Sequence, residues 1–450
     1  MLQPALTDVQ SNILKYHYRD YVRMLFVRFS GQSNSLKSWV SLFPDKFGIS
    51  TAHTDLENYL KYKSGKRKTK NSTHCTLLFT QSGYVKMGFK KGQLGLPKDP
   101  AFWDGMAKRG TQLNDPDKKL WEPTYKKAIH ALVILADDSE DKIELKKKEI
   151  SDSLNRKKVG QIIFEESSFL LTNEEGQKVE HFGFRDGLSQ PKLWNKDKLL
   201  EKGWKNVLED AVGGSYLVYR KLEQNVKRFN ENVQALSNEL KLDPNYTAAR
   251  MMGRYKNGEP LAKEWYAKKG ESDQADPNGL KCPFHAHIRK MKPSTNDKIY
   301  PSIVRRGVPY DNRKDKSNSE PEIEVGLLFM CYQASIKNQF EYLQSKWANN
   351  PDFPEKFTGI DPVIGQYGST TPKYRRGAYC TAKESARFSG AVSLKGGAYF
   401  FAPGIPFLKN IKSYPKPHPK KQNEPGDYNR KISFQMLMQI ANSGKQRFFY

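Results

Sequence analysis

Asp186 stands in the segment Gly183-Phe184-Arg185-Asp186-Gly187, where residue types and spacing could do chemistry. Glycines on both sides of an aspartate favour a tight turn and let other groups approach the backbone closely. Such a turn can direct a carboxylate into a cavity, where it would take up and return a proton. Judged by spacing alone, a purely structural turn around the aspartate is the simpler interpretation.

Two histidines follow a cysteine in the segment Cys282-Pro283-Phe284-His285-Ala286-His287-Ile288-Arg289. We predict a strand around Ala286-His287-Ile288, on which residues two apart share a face. Three kinds of site stay open for His285 and His287. They could form part of a zinc site with Cys282, although no fourth ligand has suitable spacing. One of them could be an axial ligand of haem iron, or a structural histidine.

Two adjacent arginines, Arg305 and Arg306, follow the strand-like residues Ile303-Val304. Neighbouring residues of a strand point to opposite faces. One arginine can therefore enter a pocket while the other reaches solvent or a carboxylate. The alternative is a surface ion pair, which contributes little to stability.

The elements that must position these residues follow the same plan twice. In the first half, a helix between two apolar runs is indicated by the spacing of Ile143, Ile150 and Leu154. In the second half, we predict one helix through Leu222, Val226, Phe229, Val233, Leu236 and Leu240, and another through Ile336, Phe340, Leu343 and Trp347. The predicted strands include Met24–Val27, Cys75–Thr80, Ala131–Leu135, Gln161–Phe164, Ser215–Tyr219, Ile303–Arg305, Leu327–Met330 and Ala398–Phe401.

Strand, helix, strand, strand, helix, strand is the ferredoxin-like order. The sequence therefore predicts an α+β protein of two ferredoxin-like units, each an antiparallel sheet covered by helices. We place the N-terminal unit at residues 1–178 and the C-terminal unit at residues 179–450. The junction is expected near the polar, turn-like segment Thr172–Gln177.

The bulk composition is that of a folded protein, with 37% hydrophobic and 28% charged residues. No apolar run reaches the length of a membrane span. The N-terminus lacks the pattern of a secretory signal, and the four cysteines are scattered, which indicates free thiols and a cytoplasmic location. The net charge of +26 would suit a nucleic-acid-binding protein or attraction of anionic substrates. Because basic residues are spread through the chain, we favour a lysine-rich surface and no specific nucleic acid.

Taken together and in order, six blocks resemble the dye-decolourising (DyP-type) haem peroxidase family. The blocks are Asp8–Leu14, Gly183–Pro191, Gly214–Leu222, Cys282–Arg289, Arg305–Tyr310 and Gly397–Pro403. Each block is modestly specific, whereas six in the same order are strongly so. The resemblance implies the dimeric α+β barrel-like superfamily and one haem b per chain.

The resemblance also implies a role for particular positions. His287, the histidine before Ile288-Arg289, matches the proximal haem ligand, which excludes His285. Asp186 matches the distal acid–base and Arg305 the distal arginine that stabilises charge. The haem-contacting positions are completed by Leu327 and Phe329, which match apolar residues of the distal side, and by Arg289, a candidate partner of a haem propionate.

Two features depart from the family pattern or stay open. Lys292, Pro293 and Ser294 stand where the family often has Asn-Pro-Arg, which puts one polar contact near the haem edge in doubt. The proximal carboxylate that accepts a hydrogen bond from the ligand histidine has no clear match. The candidates are Glu322, Glu324 and Glu341.

The activity that the resemblance implies is reduction of hydrogen peroxide and one-electron oxidation of bulky aromatic donors such as dyes. An aspartate as acid–base is expected to favour donor oxidation at acidic pH. A non-enzymatic haem-handling protein on the same fold is the alternative, but it has no use for Asp186 and Arg305 together. The sequence leaves open a homo-oligomer, the natural donor, and which of 23 Tyr and 7 Trp would relay electrons to the surface.

Overall fold

The computed structural model describes residues 3–64, 73–93, 95–188, 190–196, 198–209, 213–262, 276, 278–292, 301–366 and 390–414. Its strands are β1 (Tyr21–Phe29), β2 (His74–Phe79), β3 (Ala131–Asp137), β4 (Gly160–Phe169), β5 (Trp194–Asn195), β6 (Lys198–Leu199), β7 (Ser215–Gln224), β8 (Val304–Arg305), β9 (Val308–Asp311), β10 (Val325–Gln333) and β11 (Val392–Ala402).

The helices differ in length and type. The α-helices are α1 (Ser33–Phe47), α2 (Ala52–Lys63), α3 (Gln81–Lys86), α4 (Pro100–Asp104), α5 (Gly110–Leu113), α6 (Pro123–Lys126), α7 (Glu140–Arg156), α8 (Glu201–Lys205), α9 (Val226–Leu240), α10 (Pro244–Met252), α11 (His287–Met291) and α12 (Ile405–Asn410). Ile336–Phe340 and Leu343–Ala348 are π-helical, and short 3-10 turns occupy Met106–Arg109, Lys118–Leu120 and Ile411–Ser413.

The first four strands form an antiparallel sheet in the order β4-β1-β3-β2. All seven residues of β3 are buried, as expected of a continuous apolar run at the centre of a sheet. The long helix α7 packs against β3 and β4 with Ile143, Ile150 and Leu154 buried. Their spacing of seven and four residues therefore marks the core-facing side of a helix, as predicted.

The second half repeats this order as β11-β7-β10, with β8 and β9 both paired to β10. Helix α9 buries Val226, Phe229, Val233 and Leu236. The prediction that this helix includes Leu222 is wrong, because β7 extends to Gln224 and Leu222 pairs with Leu327 in the sheet. Asn225 accepts a hydrogen bond at Oδ1 from the Arg228 N–H (2.7 Å) and caps the helix, which begins at Val226, four residues later than predicted.

The two halves join where β2 pairs with β11, through Phe79 opposite Phe401. At the other flank, the Ser168 hydroxyl of β4 donates to the Pro309 carbonyl of β9 (2.5 Å). The predicted fold class, two antiparallel ferredoxin-like sheets with helices on them, is confirmed. The described residues up to Lys412 belong to one compact unit, and the boundary proposed at residue 178 stays a prediction.

Two further expectations concern local structure. Ile336, Phe340, Leu343 and Trp347 are helical, as predicted, with π-helical hydrogen bonding. The strand predicted around Ala286-His287-Ile288 is wrong, since His287 is the first residue of helix α11. Within the described part of the chain, no helix has both the length and the apolar character needed to cross a membrane.

Candidate active site

His287 begins the short helix α11, and its ring is held by a buried carboxylate. Nδ1 lies 2.7 Å from Oδ2 of Asp361, whose side chain is 0% exposed while that of His287 is 17% exposed. The other oxygen of Asp361 accepts the backbone N–H groups of Val363 (2.8 Å) and Ile364 (2.9 Å). A carboxylate can only accept here, so Nδ1 carries a proton, and the neutral form of the ring has its lone pair on Nε2.

The charge state of Asp361 follows from these contacts. Burial on its own raises the pKa of Asp361. The neighbouring His287 and the hydrogen bonds from His287, Ile364 and Val363 outweigh burial, so that the pKa lies below its ordinary value. A buried carboxylate anion on Nδ1 makes Nε2 a more basic ligand for a metal.

His285 and Cys282 lie near this histidine but play a different part. Both are fully buried, and burial lowers the pKa of His285 to about 3, which keeps the ring neutral. The prediction that His285 and His287 share a strand face is wrong, because helix α11 begins at His287. Among the described residues, no three His, Cys, Asp or Glu side chains gather in a way that would hold a metal ion.

The loop that contains Asp186 is a hairpin stabilised by hydrogen bonds to Glu180 and by packing against α9. The Glu180 N–H donates to the Phe184 carbonyl (3.0 Å), and the partly buried Glu180 carboxylate accepts the N–H groups of Phe182 and Phe184 (2.9 Å each). The ring of Phe182 stacks on Phe229 of α9 at 4.2 Å. Gly183 adopts a φ of 87°, a conformation that other residues rarely take.

Asp186 itself is exposed at the open end of this hairpin, opposite Lys178. Its backbone N–H donates to the Lys178 carbonyl (3.3 Å), and its Oδ1 accepts the Gly187 N–H (2.6 Å). Gly187 has a φ of 77°. Within the described residues, the second carboxylate oxygen has no hydrogen-bond partner, so the turn is both structural and able to present an acid–base group.

Gln190 links the Asp186 loop to the strand of Arg305. Its side-chain carbonyl accepts the Arg305 N–H (3.1 Å), and its amide donates to the Arg305 carbonyl (3.1 Å). Arg305 is partly exposed and lies opposite Cys331 in the pairing of β8 with β10. The structure thus brings together the two elements that contain Asp186 and Arg305.

One face of β10 places two apolar side chains beside Arg305. Leu327, Phe329 and Cys331 alternate along the strand, and Arg305 is opposite Cys331, so all four share a face. Leu327 and Phe329 are only partly buried, whereas their strand neighbours Leu328 and Met330 are almost completely buried. This face therefore retains exposed apolar surface next to a cation.

His287 lies on the same side of the sheet as this face. Phe329 contacts Phe340 of the first π-helical segment (6.2 Å between ring centroids). The second π-helical segment, Leu343–Ala348, packs against α11. An imidazole with a basic Nε2, partly exposed apolar residues and a cation are the groups that bind haem iron, the macrocycle and a developing negative charge.

Arg306 and Arg289 are both engaged within the protein. Arg306 is buried and donates from Nε to the Asn12 carbonyl (2.7 Å) and from Nη2 to the Ile13 carbonyl (3.2 Å). Arg289 is also buried and donates to the side chain and the carbonyl of Asp276 (2.8 Å each) and to the Cys282 carbonyl. These bonds stabilise the turn before α11, and a propionate contact for Arg289 stays a prediction.

The carboxylate that bonds His287 was missed by sequence reasoning, and the three candidates named for it are wrong. Glu322 and Glu324 are exposed, and Glu341 pairs with Arg109 (2.6 Å) and accepts from the Tyr399 hydroxyl (3.0 Å). Asp361 takes the position instead. The available signal was an acidic residue inside the apolar run Ile360-Asp361-Pro362-Val363, where a lone aspartate needs a partner.

Comparison with known proteins agrees with this fold. Residues 8–168 match the model described as "DyP dimeric alpha+beta barrel domain", and residues 177–360 match "Dyp-type peroxidase, C-terminal". The chain is 31% identical to the multifunctional dye peroxidase DyP2 of Amycolatopsis sp., covering 90% of this chain and 96% of that protein. It is 29% identical to the dye-decolorizing peroxidase AauDyP1 of Auricularia auricula-judae, covering 73% and 74%.

A solved structure extends the likeness to three dimensions. The DyP-type peroxidase of Anabaena sp. superposes with a TM-score of 0.76 at 31% identity, covering 90% of this chain and 94% of that one. Fold and site together define an α+β-barrel peroxidase. The chain belongs to the DyP-type peroxidase family, whose members generally depend on haem.

Proposed function

We propose that this peroxidase binds one haem b per chain through His287 and uses Asp186 and Arg305 to reduce hydrogen peroxide. The observation that supports it most strongly is the hydrogen bond from His287 Nδ1 to the buried Asp361 (2.7 Å). This bond leaves Nε2 as a basic nitrogen suited to an iron ligand. The partly exposed Leu327 and Phe329 would contact the macrocycle. The residues present therefore fit the cofactor that the family uses.

Haem, when bound, would supply both electrons that reduce hydrogen peroxide and would recover them one at a time from donor molecules. The protein's own residues have simpler tasks. Asp186 takes the proton from the attacking oxygen of hydrogen peroxide and returns it to the leaving oxygen, directly or through one water. Arg305 stays protonated, so it orients the peroxide and stabilises negative charge as the O–O bond breaks.

The donor follows from the relatives and from charge. Aromatic dyes are the donors that the names of the relatives indicate. The net charge of +26 would raise the local concentration of anionic donors such as sulfonated dyes. A bulky donor need not enter the pocket if an aromatic residue relays the electron to the surface.

Haem binding is tested by titrating the purified protein with haemin and following the Soret band. The wild type is expected to bind one haemin per chain, and His287→Ala to lose the axial ligand signature until imidazole is added to the solution. Rescue by imidazole separates the loss of a ligand from misfolding. A wild type that gives no Soret band, or a His287→Ala variant with an unchanged spectrum, would contradict the proposal.

A further inference from the structure

Lys290 is a fully buried cation one helical turn after His287. Its side chain has no solvent-accessible surface, and its backbone N–H donates to the Ala286 carbonyl (2.8 Å) in α11. Residues three apart on a helix lie on the same side, so His287 and Lys290 project from one side of this short helix. A buried ammonium needs several acceptors to offset the loss of water.

The acceptors of Lys290 are three backbone carbonyls of a single loop. Nζ donates to the carbonyls of Asn350 (2.8 Å) and Gly359 (2.7 Å) and to that of Phe353. An ammonium has three N–H donors, so each donor has one carbonyl. The three acceptors lie near the start, the middle and the end of residues 349–360, which we call the proximal loop.

The proximal loop leads directly into Asp361. It is closed by the Asp361 N–H, which donates to the Ala348 carbonyl at the end of the second π-helical segment (2.8 Å). Within the loop, the Gly359 N–H donates to the Pro351 carbonyl (2.8 Å), and the ring of Phe353 stacks on Trp347 at 5.0 Å. The position of the Asp361 carboxylate therefore depends on the conformation of this loop.

Helix α11 thus binds the same segment at two points. His287 bonds the Asp361 side chain, and Lys290 bonds the backbone of the loop that ends at Asp361. A loop without regular structure would otherwise sample many conformations, and the length of the His287–Asp361 hydrogen bond would vary with them.

We propose that Lys290 is a positioning residue of the proximal side, which fixes Asp361 against His287 and thereby sets how strongly Nε2 donates electrons to the haem iron. The inference rests on the proposed function, because it assigns Lys290 a role toward the cofactor that His287 is proposed to bind. Lys290 touches neither the cofactor nor the substrate in this scheme. Its effect is transmitted through the carbonyl groups of Asn350, Phe353 and Gly359.

The test uses the full-length haem-reconstituted protein and two readouts that a merely structural residue would not move. These are the iron–histidine stretching band of the ferrous form and the ferric/ferrous midpoint potential. Asp361→Asn provides the reference. Its neutral amide places no negative charge next to Nδ1, so the band is expected to shift to lower frequency and the potential to higher values. Lys290→Met is expected to shift both readouts in the same direction.

Two further variants separate positioning from general loss of stability. In Lys290→Met/Asp361→Asn, no shift beyond that of Asp361→Asn is expected, because both changes act through one hydrogen bond. Lys221→Met is the matched control, since Lys221 is also a buried lysine but binds Glu122 and Glu166 elsewhere. It is expected to lower stability and leave both readouts at wild-type values. Additive shifts in the double variant, or an equal shift in Lys221→Met, would overturn the proposal.

A milder variant and a cofactor-free measurement cover the case in which Lys290→Met fails to fold. Lys290→Arg keeps the charge but cannot direct three donors to three converging carbonyls, so a smaller shift in the same direction is expected. In the apoprotein, hydrogen exchange at the Asp361 amide should be faster in Lys290→Arg than in the wild type. Wild-type exchange together with wild-type readouts would refute the role of Lys290. Failure of the wild type to bind haemin would refute the proposed function instead.

Discussion

Arg305 and Arg306 are neighbours in the chain but differ completely in environment. Arg306 is buried beneath the N-terminal segment, and burial lowers its pKa to about 10. Arg305 is partly exposed beside Leu327 and Phe329 and is bonded through its backbone to Gln190. Arg306 stabilises the fold, whereas Arg305 lies partly exposed on the apolar face of β10.

This difference predicts that substitution by leucine lowers mainly the stability at Arg306 and mainly the rate with peroxide at Arg305. Arg306→Leu leaves the Asn12 and Ile13 carbonyls without their donor and is expected to cost about 2–3 kcal/mol of unfolding free energy. Arg305→Leu is expected to change stability by less than about 1 kcal/mol and to slow the reaction with peroxide about 100-fold or more. Denaturant unfolding and stopped-flow mixing with peroxide measure the two effects. Equal stability losses would contradict the assignment.

Asp186→Asn is expected to retain haem and slow the reaction with hydrogen peroxide. An amide cannot take up the proton, and general acid–base catalysis contributes about 100- to 10,000-fold. Stopped-flow absorbance of the haem-loaded variant measures the rate. Glu174→Gln removes an exposed acid from the preceding turn and serves as the control. A rate like that of the control would exclude Asp186 as the proton carrier.

Phe182→Ala tests how the Asp186 loop is supported. Removing a buried ring that stacks on Phe229 is expected to cost about 3–5 kcal/mol. Because the hairpin loses part of its packing on α9, the peroxide rate per bound haem should also fall. Phe182→Leu keeps much of the apolar volume and should show smaller losses in both. Retention of the full rate in a destabilised Phe182→Ala would mean that the hairpin is positioned by other contacts.

His17 predicts a pH dependence of stability. Burial, with the positive neighbours Lys178, Arg306 and Arg19 and with His74, lowers its pKa well below the ordinary 6.5, and Nδ1 accepts the Arg19 N–H (3.0 Å). Below pH 6.5 the unfolded chain therefore binds a proton that the folded chain does not, and the free energy of unfolding falls as the pH falls.

His17→Gln should reduce this loss by up to about 1.4 kcal/mol per pH unit, the value for one proton. Urea unfolding at pH 7, 6 and 5 measures the slope for both proteins. The absolute stability of the variant is lower, since the ring stacks on Tyr16, so only the slopes are compared. Parallel slopes would show that His17 binds a proton in the folded state.

The sequence was sufficient wherever the signal was local. The wholly apolar run Ala131–Leu135 and the repeated spacing in α7 and α9 identify their elements, since burial of a strand or of a helix face imposes that pattern. Helix α11 was mistaken for a strand because five residues are too few to show a helical period. Leu222 fitted the helix pattern only because this strand residue stands four residues, about one helical turn, before Val226 of α9.

Asp361 could not be found in this way. It lies 74 residues after His287, and its position depends on the packing of the π-helical segments and on the three bonds of Lys290. No spacing in the chain encodes that contact. By residue type, Glu322, Glu324 and Glu341 were equally suitable candidates. The Glu341 carboxylate, however, is already bonded to Arg109 and Tyr399.

The pairing of β2 with β11 has a consequence for synthesis of the protein. Strand β2 ends at Phe79, whereas its partner begins only at Val392. During translation, the β2 edge of the first sheet therefore stays unpaired until nearly the whole of residues 1–402 has left the ribosome. An open apolar edge invites pairing with another nascent chain. Chaperone demand and the yield of active enzyme should thus depend on how quickly the late strand reaches that edge.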